Sequence, residues 1–222
     1  MENINVKKEK KSILFTGMKI FWVFILGCLT GFIVETAFTL LITGQFQLRQ
    51  GVIYGPFAQV YGLGGVAFYL ALPKIKGNIK TFFISMLLGA TVEFTCSYLQ
   101  EKIFGTVSWD YTGSLLNIQG RTNLMYGICW GFFGLFFIHA IFPRFEKIDL
   151  YLQKRSFKLV TAVFILFMIG NFTISSMAAY RQKERLQRIT ARNNIDRFLD
   201  NVYPDYVMNR VYSNKQQRSV IK

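Results

Sequence analysis

Histidine is all but missing: among 222 residues there is only His139, and the cysteines number three, Cys28, Cys96 and Cys129. No Cys-x-x-Cys pair occurs and His139 has no clustered partner, so neither a metal site nor a cofactor is indicated. The three thiols fall within apolar runs, where each behaves as a small hydrophobe. No Ser-His or Cys-His constellation is present for nucleophilic catalysis. No glycine-rich loop ending in Gly-Lys-Ser/Thr is there to cradle a nucleotide. Acidic residues are scarce too, 12 against 26 Lys and Arg, for a net charge of +14. Such a surplus attracts phosphate, yet here it sits in flanks and loops, where it is a topology signal. Nucleic acid is therefore not an expected partner.

Charge is also absent over long stretches. Hydrophobic residues make up 52% of the chain and the mean hydropathy is +0.30. No Asp, Glu, Lys or Arg lies between Gln50 and Pro73, between Thr122 and Pro143, or between Leu159 and Tyr180. A bilayer core takes about 20 helical residues to cross. Five segments meet that length, at roughly 20–43, 52–73, 82–104, 123–143 and 158–180. Twenty-three Phe and eleven Tyr suit lipid-facing and interfacial positions. The expected fold class is an all-α integral membrane protein, a polytopic helical bundle of about five transmembrane helices in contact with membrane lipids. The first apolar run is too long for the hydrophobic part of a signal peptide and no small-residue cleavage pattern follows it, so it is expected to remain as the first span.

Two motifs recur in the same order. Gly31-Phe32-Ile33-Val34-Glu35 returns as Gly89-Ala90-Thr91-Val92-Glu93, each inside an apolar run. Arg49-Gln50-Gly51-Val52-Ile53-Tyr54-Gly55 returns as Arg121-Thr122-Asn123-Leu124-Met125-Tyr126-Gly127, each opening the next run. The pair in register reads as a duplicated helical hairpin.

Loop charge orients the bundle. Lys and Arg number five in the N-terminal flank 1–19 (Lys7, Lys8, Lys10, Lys11 and Lys19), then one, three, two and five in successive loops. That alternation predicts a cytoplasmic N-terminus in a multi-pass protein of the cell membrane. The basic tail 181–222 breaks the pattern, because five spans starting inside end outside and yet ten Lys or Arg follow Tyr180. One alternative is that the second segment does not cross in full. Gly51, Gly55, Pro56, Gly62, Gly64 and Gly65 could support a broken or re-entrant helix there; five full spans is the reading that four loops favour. Within the tail, Ile195, Phe198, Leu199 and Val202 follow the spacing of an amphipathic helix. Pro204 ends it, and Val207, Met208, Val211 and Tyr212 predict a second short helix. Such a tail either lies along the headgroups or packs on the loops.

Glu35 and Glu93 are the costliest residues in the chain, since a charge at mid-membrane costs about 2.5–3.5 kcal/mol on insertion scales. Gly27, Gly31 and Glu35 are spaced by four, which places the carboxylate on a small-residue stripe that approaches another helix. Gly89 and Glu93 repeat the spacing and Gln100 and Glu101 continue that face, so both carboxylates are expected to point inward. Arg49 and Arg121 then lie at the outer ends of the second and fourth helices, with Tyr54 and Tyr126 one turn below. Two Glu, two Arg and two Tyr related by a pseudo-two-fold axis match the parallel repeats of some transporters. They could instead pair with each other and lock the bundle. An insertion from Gly105 to Gly120 carries Trp109, Asp110, Tyr111 and Asn117. Interfacial aromatics and Asx turns account for it, as does a loop closing over the carboxylates.

The string from Arg49 to Pro56, with Tyr61-Gly62-Leu63-Gly64, resembles the R-G-x-x-Y-G-P-x-x-x-x-Y-G-x-G stretch of the CmpB-type ABC-transporter permease family, the ABC-transporter type IV proteins. Glu93 with Ser97 to Gly105, Trp109-Asp110-Tyr111 and Asn117-x-x-Gly120-Arg121 resembles that family's central block. Trp130-Gly131 and the segment Phe198 to Asp205 are similar as well, over roughly residues 20 to 210. Gln50 interrupts the usual Arg-Gly pair by an insertion-like shift, so the carry-over is firmer at Arg121 than at Arg49. The resemblance implies a permease and, as no nucleotide site is present, a separate ATPase subunit as partner. Arg144 to Lys158 is the one loop long enough to receive it.

Three functions fit. The first is a permease or transporter component with a polar site in the outer half of the bundle. The second is a membrane-embedded enzyme acting on a lipid or envelope precursor, with paired carboxylates as acid and base and Arg121 holding a phosphate. The third is a non-catalytic partner in an envelope complex. A pathway open to both sides favours transport, and a pocket closed below Glu35 and Glu93 favours the enzyme.

Overall fold

Long apolar runs in hydrocarbon must satisfy their backbone internally, and helices are the simplest way to do so. A computed structural model of the chain describes residues 2–217. Arg218 and Lys222 of the basic tail lie outside the described residues, as do the side chains of Lys7, Lys8, Lys10 and Lys11. The chain runs as α1 (Glu2–Thr43), α2 (Gln59–Ala71), α3 (Asn78–Phe104), β1 (Thr106–Val107), α4 (Leu124–Phe136), α5 (Phe142–Glu146), α6 (Asp149–Leu152), α7 (Arg155–Leu186), α8 (Asn194–Val202), α9 (Asp205–Val211) and β2 (Gln216–Gln217). Among the described residues, four helical stretches are long and apolar enough to cross a membrane: Phe15–Thr43, Asn78–Phe104, Leu124–Glu146 and Arg155–Leu186. The third joins α4 to α5 through a widened turn at Phe137–Ile141. Pro143 follows after Phe142, and a widened turn accommodates a residue that has no N–H and whose ring crowds the preceding turn. His139 lies in this turn with Nε2 3.0 Å from Asn78 Oδ1. Large apolar side chains such as Leu41, Leu87, Phe132 and Leu166 stay exposed on these helices, as lipid-facing surfaces require.

The expected second span, 52–73, takes a different form. Its helix is only the 13-residue α2, about 20 Å at 1.5 Å per residue, and residues 51–58 before it are irregular. Gly55 adopts φ +87° there, a conformation a side chain resists. This stretch enters the bundle: Val52 and Phe57 pack with Ile25 and Cys28 of α1 and Met168 of α7. Its backbone is satisfied by neighbours. The Ala58 N–H donates to the Cys28 carbonyl at 3.1 Å, and the Ile53 N–H donates to Ser175 Oγ at 2.9 Å. The Tyr54 N–H donates to Asn171 Oδ1 at 3.2 Å, while Asn171 Nδ2 donates to the Tyr54 carbonyl at 2.6 Å. Irregular backbone at membrane depth persists only where protein or a cavity supplies such partners.

Two helix pairs form the core, α1 with α2 and α3 with α4, as a duplicated hairpin requires. In each, a glycine one turn before the glutamate receives an aromatic ring from the partner helix. A Cβ on Gly31 would stand 2.2 Å from the Tyr61 ring, and one on Gly89 would stand 2.1 Å from the Trp130 ring. The repeat loosens at the tyrosines. Tyr126 lies in the first turn of α4, capped by Asn123 Oδ1, which accepts from the Tyr126 N–H at 2.9 Å. Tyr54 lies in the irregular stretch, and its hydroxyl meets that of Tyr203 at 2.7 Å.

The tail folds back on the bundle. α8 and α9 flank Pro204 as the spacing predicts, and Leu199, Tyr203 and Met208 bury against Ala178 and Ala179 of α7. Of the anticipated apolar face only Leu199 turns inward; Ile195, Phe198 and Val202 stay exposed, facing the surroundings at the bundle's end. β2 pairs antiparallel with β1, Thr106 opposite Gln217 and Val107 opposite Gln216. Ser213 Oγ also donates to the Leu48 carbonyl at 3.2 Å. The tail therefore sits at the same end as the 44–58 and 105–123 loops, opposite Lys19, which pairs with Glu146 at 3.2 Å. Two of its cations are not the free charges that a count of Lys and Arg assumes. Arg181 is bridged to Asp200 and Glu184, each at 2.9 Å, and Arg185 to Asp200 and Asp205, each at 2.7 Å.

Candidate functional site

A charged side chain held at membrane depth needs a partner or a cavity, and both repeats supply one. In the first, Glu35 Oε1 accepts from the Tyr61 hydroxyl at 3.3 Å, and Oε2 stands 3.8 Å from Arg49 Nε. In the second, Glu93 Oε2 accepts from Thr122 Oγ1 at 2.8 Å and Oε1 from the Tyr111 hydroxyl at 3.1 Å. Burial, reinforced by the Glu93 carboxylate, pushes the Tyr111 phenol up, so it stays protonated and donates. Its ring stacks on Tyr126 with centroids 4.5 Å apart.

The two motif arginines diverge. Arg121 is 5% exposed and surrounded: NH2 bonds to Glu101, NH1 donates to Ser97 Oγ at 3.2 Å, and the guanidinium lies 5.4 Å from the Tyr98 ring centre and 5.7 Å from that of Phe94. The Arg121 carbonyl accepts from Trp109 Nε1 at 2.8 Å. Arg49 has no comparable nest. Its Nε has no hydrogen-bond partner among the described residues, and Glu35 is its ion-pair partner.

Between α1, α2, α3, α7 and the tail lies a cavity of about 550 Å³. Of the residues expected at a site, it brings together Glu35, Arg49, Glu93, Trp109 and Tyr111. Tyr54, Glu101, Asp110, Asn117, Arg121 and Tyr126 do not line it. Asp110 Oδ1 accepts from the Thr112 N–H at 2.8 Å and from its hydroxyl at 2.6 Å. Asn117 bonds the Ser114 carbonyl and the Gly120 N–H. Both therefore shape turns of the 105–123 loop, while Trp109 and Tyr111 are the parts of it that reach the cavity.

Further lining residues were not anticipated. Tyr61 forms the inner end, stacked on Trp130 with centroids 5.4 Å apart, and below them Phe68, Leu72 and Phe137 close the core. Ser175 follows Asn171 by one helical turn in a span free of charge, a spacing that could have marked the polar face of α7. Lys215 reaches the cavity from the tail, donating to Gln182 Oε1 at 3.2 Å. Burial pushes its ammonium down to about 8. No spacing in the sequence points to it.

Four long apolar helices among the described residues define a polytopic helical membrane protein. The family described as "Putative ABC-transporter type IV" matches residues 22–176, and the chain belongs to that family. The match covers both hairpins and most of α7 and ends before the tail, short of the residue 210 expected from the motifs. Neither the curated proteins nor the solved structures yield a match.

Proposed function

We propose that the protein is the membrane-spanning permease component of a transport system, binding its ligand in the cavity that holds Glu35, Arg49 and Glu93. The observation that carries this reading is the cavity itself: two carboxylates and a cation share about 550 Å³ at a depth where ionisable groups mark substrate paths. A broken helix with irregular backbone beside the site, here residues 51–58 before α2, also suits a transporter binding site. The energy source would be a separate ATPase subunit docking on the loop 147–154 that carries α6, with the N-terminus on the same, cytoplasmic, side.

One observation favours the membrane-enzyme reading. The Tyr61–Trp130 stack closes the cavity toward the N-terminal end, as a one-sided pocket would be closed. In a permease the same stack is a gate, closed in this state and open in another.

Cys96 lines the cavity and tests the difference. In a Cys28→Ala, Cys129→Ser background, an impermeant thiol reagent is applied to each face of native membranes with and without ATP. A permease exposes Cys96 from the tail side in one state and from the N-terminal side in another. Labelling confined to the tail side under every condition refutes the permease and leaves the enzyme.

A further inference from the structure

Three lines of geometry point to what the cavity takes. The first is its side wall. Leu63 of α2 and Leu99 and Ile103 of α3 line the cavity and are also 44%, 49% and 48% exposed. Ser176 of α7 lines it and is exposed as well. Leu63, Leu99 and Ser176 lie on helices whose outer faces are apolar and meet lipid, and Ile103 ends the row beside the last turn of α3. α3 and α7 meet at the tail end, where Lys183 Nζ donates to the Ile103 carbonyl at 2.8 Å, and the gap framed by Leu99 and Ser176 lies below that contact. The cavity thus opens sideways into the membrane.

The second is the state of its charges. Both oxygens of Glu93 accept a hydroxyl, and Glu35 has Tyr61. Arg49 has donors to spare: among the described residues its Nε lacks a hydrogen bond, and its carboxylate neighbour is 3.8 Å away. A guanidinium fork matches phosphate oxygens in pairs. The third is Lys215, a second cation facing the same space from the tail. Basic pockets between membrane helices suit anionic lipid heads.

We infer that the ligand is a membrane amphiphile with a phosphate-type anionic head, entering sideways between α3 and α7 and placing that head on Arg49, with its chain along Leu99 and Ile103. This rests on the cavity being the substrate site of the proposed permease, and it names the substrate class. It also moves the phosphate contact from Arg121, whose donors are engaged, to Arg49.

The test uses the full-length protein in nanodiscs of phosphatidylcholine containing a rising fraction of phosphatidylglycerol with brominated acyl chains. Bromine quenches tryptophan on contact, and Trp109 and Trp130 line the cavity. Brominated phosphatidylcholine in parallel discs measures contact with general lipid. The expected result is a saturable extra quenching by phosphatidylglycerol. Arg49→Gln shifts its midpoint about tenfold, the equivalent of about 1.4 kcal/mol, while Arg49→Lys retains part of it. Ser176→Phe narrows the side opening with Arg49 intact, and it weakens the same signal. Monodisperse elution and a melting temperature within about 4 °C of the parent certify each variant as folded.

Equal quenching by the two lipids, or extra quenching that survives both Arg49→Gln and Ser176→Phe, overturns the inference. Inorganic phosphate at millimolar concentration should not displace the lipid; if it abolishes the extra quenching, the site takes free phosphate and the amphiphile is wrong. Because this assay reads binding and the Cys96 assay reads two-sided access, either reading can fail while the other stands.

Discussion

Replacing Arg121 should harm the fold far more than replacing Arg49, although the two occupy matching places in the duplicated motif. Arg121→Gln removes a guanidinium 5% exposed and takes the arginine away from Glu101, whose side chain keeps 28% exposure. Breaking a buried ion pair costs about 3–5 kcal/mol. The lower figure applies, because Glu101 can regain some water. For a chain of this size each kcal/mol moves the melting temperature by about 2–4 °C, so about 3 kcal/mol predicts a fall of about 6–12 °C. Arg49 and Glu35 stand 3.8 Å apart with side chains 20% and 29% exposed. A pair that loose contributes about 0–1 kcal/mol, and Arg49→Gln should lower the midpoint by no more than about 4 °C. The cysteines provide the readout. Cys28 is buried and Cys96 and Cys129 partly so, so a thiol-reactive dye reports their exposure on heating in detergent. Adding Glu101→Gln to Arg121→Gln should recover part of the loss by removing the carboxylate that has lost its arginine. Equal falls for the two arginine variants, or a smaller one for Arg121, refute the division into a structural and a ligand-facing arginine.

Three further outcomes are expected. Gly89→Leu forces atoms into space where even a Cβ stands 2.1 Å from the Trp130 ring, so α3 and α4 separate and the protein elutes as aggregate, whereas Gly77→Ala, with open space around it, is tolerated apart from backbone strain. Hydrogen bonds from Arg181 and then Arg185 hold the Asp200 carboxyl below its usual range. A depressed carboxylate stabilises fully above its unfolded value of about 4 and less as pH falls through the folded value. Tail docking, followed by limited proteolysis in 187–193, should hold at pH 7 and weaken progressively as pH falls below about 4. Cysteines at Gly44, Thr112 and Asn214 should react with an impermeant reagent from one face and a cysteine at Gly77 from the other; Asn214 siding with Gly77 contradicts the tail's pairing with the 105–123 loop.

The all-α membrane bundle, the hairpin repeat and both tail helices were legible in the sequence because each rests on a local rule: span length, glycine spacing or apolar periodicity, whereas the count of five spans was not, since only four helices among the described residues are long enough to cross. The broken start of α2 was foreseeable as an alternative from its glycines and Pro56. What decides it is remote, since Asn171 and Ser175 more than a hundred residues later supply the hydrogen bonds that make a helix there unnecessary. The tail's side of the bundle was obscured for a related reason. Counting Lys and Arg treats them as free, and Arg181 and Arg185 are bound to acids up to 20 residues away. At the site, Glu35 and Glu93 stood out because charge in an apolar run is costly. Lys215 did not, because its tail gives no sign of returning to the cavity.

The two halves of the duplication have been put to different uses, and the difference follows from one local change. In the second half Asn123 caps α4, the helix starts at its first turn, and Arg121 is drawn back onto α3, where Ser97 and Glu101 hold it. In the first half residues 51–58 forgo the helix and take their hydrogen bonds from α1 and α7. The chain that would otherwise fill the space between those helices is thereby displaced toward α7, and Arg49 is left at the rim of a cavity and not in a nest of its own. Glu93 stays tied to the rigid half through Thr122, while Glu35 and Arg49 belong to the half with unwound backbone. If the cavity changes shape during a cycle, the movement should therefore come from residues 49–61, with α3 and α4 as the fixed frame. Hydrogen exchange measures this directly: amides 51–58 should exchange orders of magnitude faster than amides 124–131, and similar protection in the two segments would rule out a moving first half.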